Sequence, residues 1–237
     1  MLWFNSYDRQ ARAAPGFLAL LPIAVVGTVV GLRQDPAVSA LLGVIVAAGG
    51  PLLMAGVVRS RGLAVQHDLF GKWGGPPTTT LLLLNQATSN ASLRDQRRRH
   101  AERVTGVSLL TRAEEADETG RGADLIESAV TVLREKTRDT AKFPLVAAEN
   151  RTYGFERNLL GVRPAGIATS ALAAMFLAGT LILIATHTIH HAVLELAVGL
   201  VISAALLLVW MWYPTEKRVH GAAEKYAVSL VDSASVL

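Results

Sequence analysis

Residues 164–186 read PAGIATSALAAMFLAGTLILIAT and residues 196–213 read LAVGLVISAALLLVWMWY. Neither stretch contains a charged side chain, and each is long enough to cross about 30 Å of hydrocarbon at ~1.5 Å per helical residue. Two further runs of the same kind, Ala13–Leu32 and Ala37–Val58, lie near the N-terminus. In a bilayer every backbone N–H and C=O must be satisfied within its own segment, so all four runs are expected to be helices. Only short connections join them in pairs: Arg33–Pro36 in the first and His187–His191 in the second. The expectation is therefore an all-α membrane protein in which two transmembrane helical hairpins bracket a mostly helical cytoplasmic domain. It divides the chain into 1–58, an amphipathic start and hairpin; 59–163, the polar domain; 164–213, the second hairpin; and 214–237, a C-terminal amphipathic helix.

Composition agrees with this division. Hydrophobic residues make up 51% of the 237, while Lys and Arg together number 23 and the formal net charge is +4. The chain has no cysteine, which excludes disulfides and thiolate metal sites. The start, Met1 to Arg12, is amphipathic, and the run behind it is longer than the apolar core of a cleavable signal, so it is read as a retained span. Arg33 is the only Lys or Arg in the two short connections. Arg9, Arg12, Arg59, Arg61, Arg157, Arg163, Lys217 and Arg218 flank the spans on the opposite side. The positive-inside rule then predicts cytoplasmic termini and a cytoplasmic middle block.

Small residues at four-residue spacing mark helix faces that can approach closely: Gly27 and Gly31, Ser170, Ala174 and Ala178, and Gly199 and Ser203. They serve packing within one subunit or between subunits. Pro22 and Gly49-Gly50-Pro51 predict kinks, which either shape the bundle or act as hinges. No ionisable residue lies near a span's midplane, where a proton pump or carrier needs one. Thr169, Ser170 and Thr180 offer hydroxyls on the third span. His187, His190, His191 and Glu195 crowd the mouth of the second hairpin. In a ring of subunits these would line a pore; in one subunit they are a solvated tip, or a group able to titrate near pH 6 or hold a divalent ion.

In the polar block, Asp68-Leu-Phe-Gly-Lys-Trp-Gly-Gly-Pro-Pro-Thr-Thr-Thr80 is punctuated by Gly and Pro and precedes Leu81–Leu84. The threonines are expected to cap a short helix or strand that buries the leucines. With Lys72 the turn is either a phosphate cradle or a structural turn; it lacks the P-loop order. A basic helix follows, capped by Asn90 and ended by Gly106, carrying Arg94, Arg97, Arg98, Arg99 and Arg103. Guanidinium pairs bidentately with phosphate oxygens, so this helix is read as binding a nucleotide phosphate or anionic lipid, or as a solvated face. Thr111-Arg-Ala-Glu114 is a capping box. After a polar break at Gly120–Gly122, Ile126, Val130 and Leu133 form a buried stripe. Pro144 suits a first helical position, and Gly161 is expected to close the helix that it begins. Val219, Ala223, Tyr226 and Leu230, widened by Ala222 and Ala227, form the stripe of the last helix, which needs a surface to cover it.

Two membrane hairpins around a compact cytoplasmic domain resemble small bacterial four-span membrane proteins. The motifs that carry the likeness are Leu69-Phe-Gly-Lys-Trp-Gly-Gly-Pro-Pro-Thr-Thr79, Lys136-Thr-Arg-Asp139, Phe143-Pro-Leu-Val146 and Asn150-Arg-Thr-Tyr-Gly-Phe155. Some of those proteins are effectors in nucleotidyltransferase-linked antiphage defence, of the CBASS or Hailong kind. The resemblance implies a cyclic homo-oligomer, such as a tetramer, whose pore is opened or held shut by a nucleotide or oligonucleotide made by that enzyme. The residues themselves offer phosphate contacts at Lys72, Arg94, Arg97, Arg98, Arg99 and Arg103. No catalytic residues, metal ligands or cofactor are expected. Two other readings stay open: a membrane scaffold without conduction, and a membrane-bound enzyme acting on lipid or nucleotide. The adjacent pairs His67/Asp68 and His100/Glu102 are the only acid–base candidates for the latter.

Overall fold

The computed structural model describes residues 7–29, 37–38, 50–86, 90–187 and 193–237. Much of the expected second span, Ala37–Val58, lies outside the described residues, as do the Arg33–Pro36 connection, His190 and His191. Among the described residues every element is helical. In chain order they are a π-helical turn Asp8–Ala13, α1 Ala14–Val29, α2 Gly50–Trp73, α3 Pro77–Thr80, α4 Ala91–Thr105, α5 Arg112–Asp117 and α6 Thr119–Lys136. Then come α7 Pro144–His187, α8 Val193–Trp212, α9 Glu216–Asp232 and a 3-10 turn Ser233–Ser235. Three helical stretches are long and apolar enough to cross a membrane: Asp8–Val29, Pro144–Ile184 and Val193–Trp212, with mean hydropathies of 1.6, 2.2 and 2.4.

The chain divides into two compact units. The first comprises Met1–Val65 and Gly154–Glu216; the second comprises Gln66–Tyr153 and Lys217–Leu237.

In the first unit Ala19, Val58, Leu159, Val162 and Trp210 form the core, with Met54, Phe155 and Ile167 against it. Close backbone approach makes this packing possible. A Cβ on Gly161 would stand 2.7 Å from the carbonyl carbon of Arg61 and 2.7 Å from the amide nitrogen of Gly62. Gly161 therefore does not close a helix, as its sequence context suggests. It lies inside α7, which continues through it and through Pro164, and its missing side chain is used to bring α2 close. Gly166 lies under the Trp210 indole, and Gly199 lies against Leu177 and Val29. These pairs run in opposite senses along α7 and α8. Of the small residues picked from spacing, Ser170, Gly199 and Ser203 are buried, whereas no described residue comes within 4 Å of a Cβ on Gly27.

Polar groups in this unit answer backbone needs. Asn158, fully buried, donates from Nδ2 to the Ala11 carbonyl in the π-helical turn at 2.6 Å, where the ordinary helical ladder is interrupted. Arg163 donates from Nε to the Trp210 carbonyl at 3.2 Å and from Nη2 to the Met211 carbonyl at 2.7 Å. A cation placed on the last carbonyls of α8 satisfies acceptors that have no intrahelical donor and opposes the negative helix end. The outward faces are apolar: Leu172, Met175, Phe176, Ile182 and Leu183 on α7, and Leu194, Val198, Val201, Val209 and Trp212 on α8 are exposed.

The second unit has a separate core of Leu82, Leu83, Ala101, Leu109, Ile126, Ala129, Val130, Leu133, Val146, Leu230, Val231 and Ala234. The α6 stripe is buried as its period predicts, and α9 covers its own stripe here, with Leu230 and Val231 reaching the core. Asn90 caps α4, its Oδ1 accepting from Leu93 N at 2.9 Å, and Gly106 ends that helix in the left-handed region at φ 74°. The capping box at Thr111 and Glu114 forms. Two local expectations differ. Helix α6 starts at Thr119 and runs through Gly120–Gly122, where Gly122 leaves room for the Glu115 side chain. The threonines after Pro77 are not caps but lie within α3, whose N-cap is Pro76, and Thr78 and Thr79 are buried.

Candidate functional site

The basic helix α4 turns much of its charge inward. Arg98 is buried and donates from Nη1 to the Leu82 carbonyl at 2.6 Å and to Glu115 Oε1 at 2.7 Å, and from Nη2 to the Leu110 carbonyl. Glu115 Oε2 in turn accepts from Leu84 N at 2.8 Å. Arg94, also buried, donates from Nη1 to the carbonyls of Leu83 and Gln86 at 3.1 and 2.8 Å. Arg97 grips both oxygens of Asp232 at 2.7 and 3.0 Å, and Arg103 reaches the Ala234 carbonyl at 3.5 Å. Four of the arginines read as phosphate contacts thus tie down the 82–86 segment, the Leu110 carbonyl and the C-terminal end. Their geometry is the bidentate, carbonyl-rich kind that guanidinium favours. Arg99 and Lys72 are exposed.

The glycine-rich turn is structural in its backbone. Gly74 and Gly75 have φ of 74° and 130°, and Gly75 N donates to the Phe70 carbonyl at 2.8 Å. Only glycine adopts that second conformation readily, and the pair folds the chain from α2 into α3. What the turn builds is one wall of a cleft. Thr80 and Leu81 line it together with Arg94, Gln86, His220, Glu224 and Val228 around a volume of about 430 Å³. The walls are mixed, with apolar flanks and a few polar groups, as in small-molecule sites. Among the described residues the buried Arg94 Nε–H has no hydrogen-bond partner. His220 Nδ1 stands 3.5 Å from Glu224 Oε2, and the imidazole meets the Trp73 ring edge-on with centroids 4.5 Å apart.

Arg94 alone among the six expected phosphate contacts lines this cleft. Of the other lining residues, Thr80 was read from sequence only as a cap, and Gln86, His220 and Glu224 were not read there at all. The available signal was the spacing of His220, Glu224 and Val228 at four-residue steps, which places them on one face of α9 beside the buried stripe.

Elsewhere in the second unit, backbone and side-chain hydrogen bonds from Thr111 hold the exposed Glu114 carboxylate below its usual pKa of 4.5. A hydrogen bond from Arg121 to Glu118 raises the Arg121 guanidinium above its ordinary value.

The hydroxyls expected along a pore are either bonded to backbone carbonyls or buried in the single chain. Thr169 is half-buried and donates to the Ala19 carbonyl at 2.7 Å, and Thr180 donates to the Phe176 carbonyl of its own helix at 2.9 Å. Ser170 is fully buried and, like Ser203, has an Oγ with no partner. Glu195 is exposed in the first turn of α8. His187 ends α7, while His190 and His191 lie outside the described residues. Among the described residues no three His, Cys, Asp or Glu side chains converge as a metal site. No protein-family model, curated protein or solved structure matches this chain.

Proposed function

We propose that the protein is a homo-oligomeric effector of the bacterial inner membrane, its spans forming a pore gated by a nucleotide or oligonucleotide bound on the cytoplasmic domain. In this reading two hairpins give four spans, with both termini and the polar unit in the cytoplasm. The opposite sense of the Gly166–Trp210 and Leu177–Gly199 pairs supports the second hairpin. The exposed apolar faces of α7 and α8 suit lipid and neighbouring copies. The observation that carries ligand gating is the cleft itself, where Arg94, Gln86, His220 and Glu224 line one volume of about 430 Å³ between apolar flanks. The resemblance to effectors of nucleotidyltransferase-linked antiphage defence supplies the class of ligand. Binding shifts the pore only through different affinities for its open and closed arrangements.

The test is dye release from liposomes holding the full-length protein, with and without a panel of mononucleotides and cyclic or linear oligonucleotides. A nucleotide-dependent change in release, lost in Val228→Trp, which fills the cleft, is the expected result. Release that no nucleotide alters refutes the gating.

A further inference from the structure

The charge inside the cleft points to which end of the ligand enters. The lining includes both the Arg94 cation and the Glu224 carboxylate, so these two charges offset one another and a phosphate there would meet a like charge at Glu224. Neutral ligands with donors and acceptors on separate edges fit it better. On the nucleotide reading above, on which this rests, we propose that the cleft binds a guanine base and that Glu224 selects it.

The chemistry follows from the donor and acceptor inventory. Guanine presents two adjacent donors, N1–H and the exocyclic amino group, which a carboxylate accepts in parallel. Its O6 and N7 are acceptors for an arginine donor, the pairing that guanidinium makes with this base most often. Adenine offers an acceptor at N1, which would meet the carboxylate lone pairs and leave Glu224 without its two donors. Leu81 and Val228 provide apolar surface for the ring faces. Glu224 is available for this role: its side chain is 60% exposed, and its recorded partner, His220, lies 3.5 Å away on the same helix. The 430 Å³ volume falls in the range of small-molecule sites.

Equilibrium dialysis of the full-length protein in detergent with GMP, IMP and AMP tests this directly. GMP is expected to bind at least about tenfold more tightly than AMP, with IMP, which lacks the exocyclic amino group, between them. Glu224→Gln, a change on an exposed helix surface, is expected to weaken GMP and strengthen AMP, whose N1 can accept from the amide, so that the preference is lost. Val228→Trp should abolish binding of all three. AMP binding as tightly as GMP to the wild-type protein overturns the guanine assignment while nucleotide binding stands. A GMP preference that survives Glu224→Gln removes this cleft as its source. Absence of binding by all three, and by the oligonucleotide panel, overturns the nucleotide reading itself.

Discussion

At the residue scale the decisive finding is where Arg98 and Glu115 lie. Their side chains are 8% and 3% exposed, and between them they fix the backbone at Leu82, Leu84 and Leu110. Removing one member leaves a buried charge without its partner, which typically costs about 3–5 kcal/mol, whereas replacing both by apolar residues is often near neutral. Glu115→Ala is therefore expected to lower the unfolding free energy of the second unit by that order, and Arg98→Met/Glu115→Met by much less. Denaturant unfolding followed by circular dichroism would measure both; a single mutant within about 1 kcal/mol of wild type would remove the pair from the account. The exposed Arg138–Glu135 pair, at 78% and 62%, is expected to contribute little. None of the Arg98 partners was legible in the sequence. They lie across the fold in segments whose course only the core decides, so an arginine-rich helix read alone looks like a solvent-facing or ligand-facing surface.

At the scale of the element, local chemistry was legible and long-range packing was not. Asn90, Gly106, the Thr111–Glu114 box and Pro144 at the head of α7 act on backbone groups within a turn of themselves, so their spacing suffices. Gly161 failed as a stop signal because its missing side chain serves the close approach to Arg61 and Gly62, a contact distant in sequence that local context does not reveal. The capping box also carries a pH dependence. Because the folded Glu114 carboxyl titrates below 4.5, its contribution is complete above that value and is lost as pH falls through the lower, folded value. Amide-exchange protection factors in α5 should decline over that acidic window. Thr111→Ala, which removes the hydroxyl bond to Glu114, should weaken the dependence; an unchanged profile would show that the box does not hold the helix.

For the whole molecule, each unit has its own core and its own dominant force. The second buries leucine, isoleucine and valine in the manner of a water-soluble helical domain, and the first exposes large apolar side chains along α1, α7 and α8. In lipid, association of such helices depends on fit, because the surrounding tails are as apolar as the side chains. Gly161→Ala should therefore lower the melting temperature of the detergent-solubilised protein by several degrees, since its Cβ meets backbone that cannot step aside, while Gly27→Ala, whose Cβ meets no described residue, should leave it unchanged. Equal melting of the two variants would mean that the α2–α7 approach is not what holds the first unit. The same approach has a mechanical side. With no side chain between the two backbones, the contact at Gly161 is a fulcrum, and the stretch of α7 from there to His187 is a lever about 39 Å long. Pivoting by about 10° carries its far tip roughly 7 Å sideways while the contact itself hardly slides.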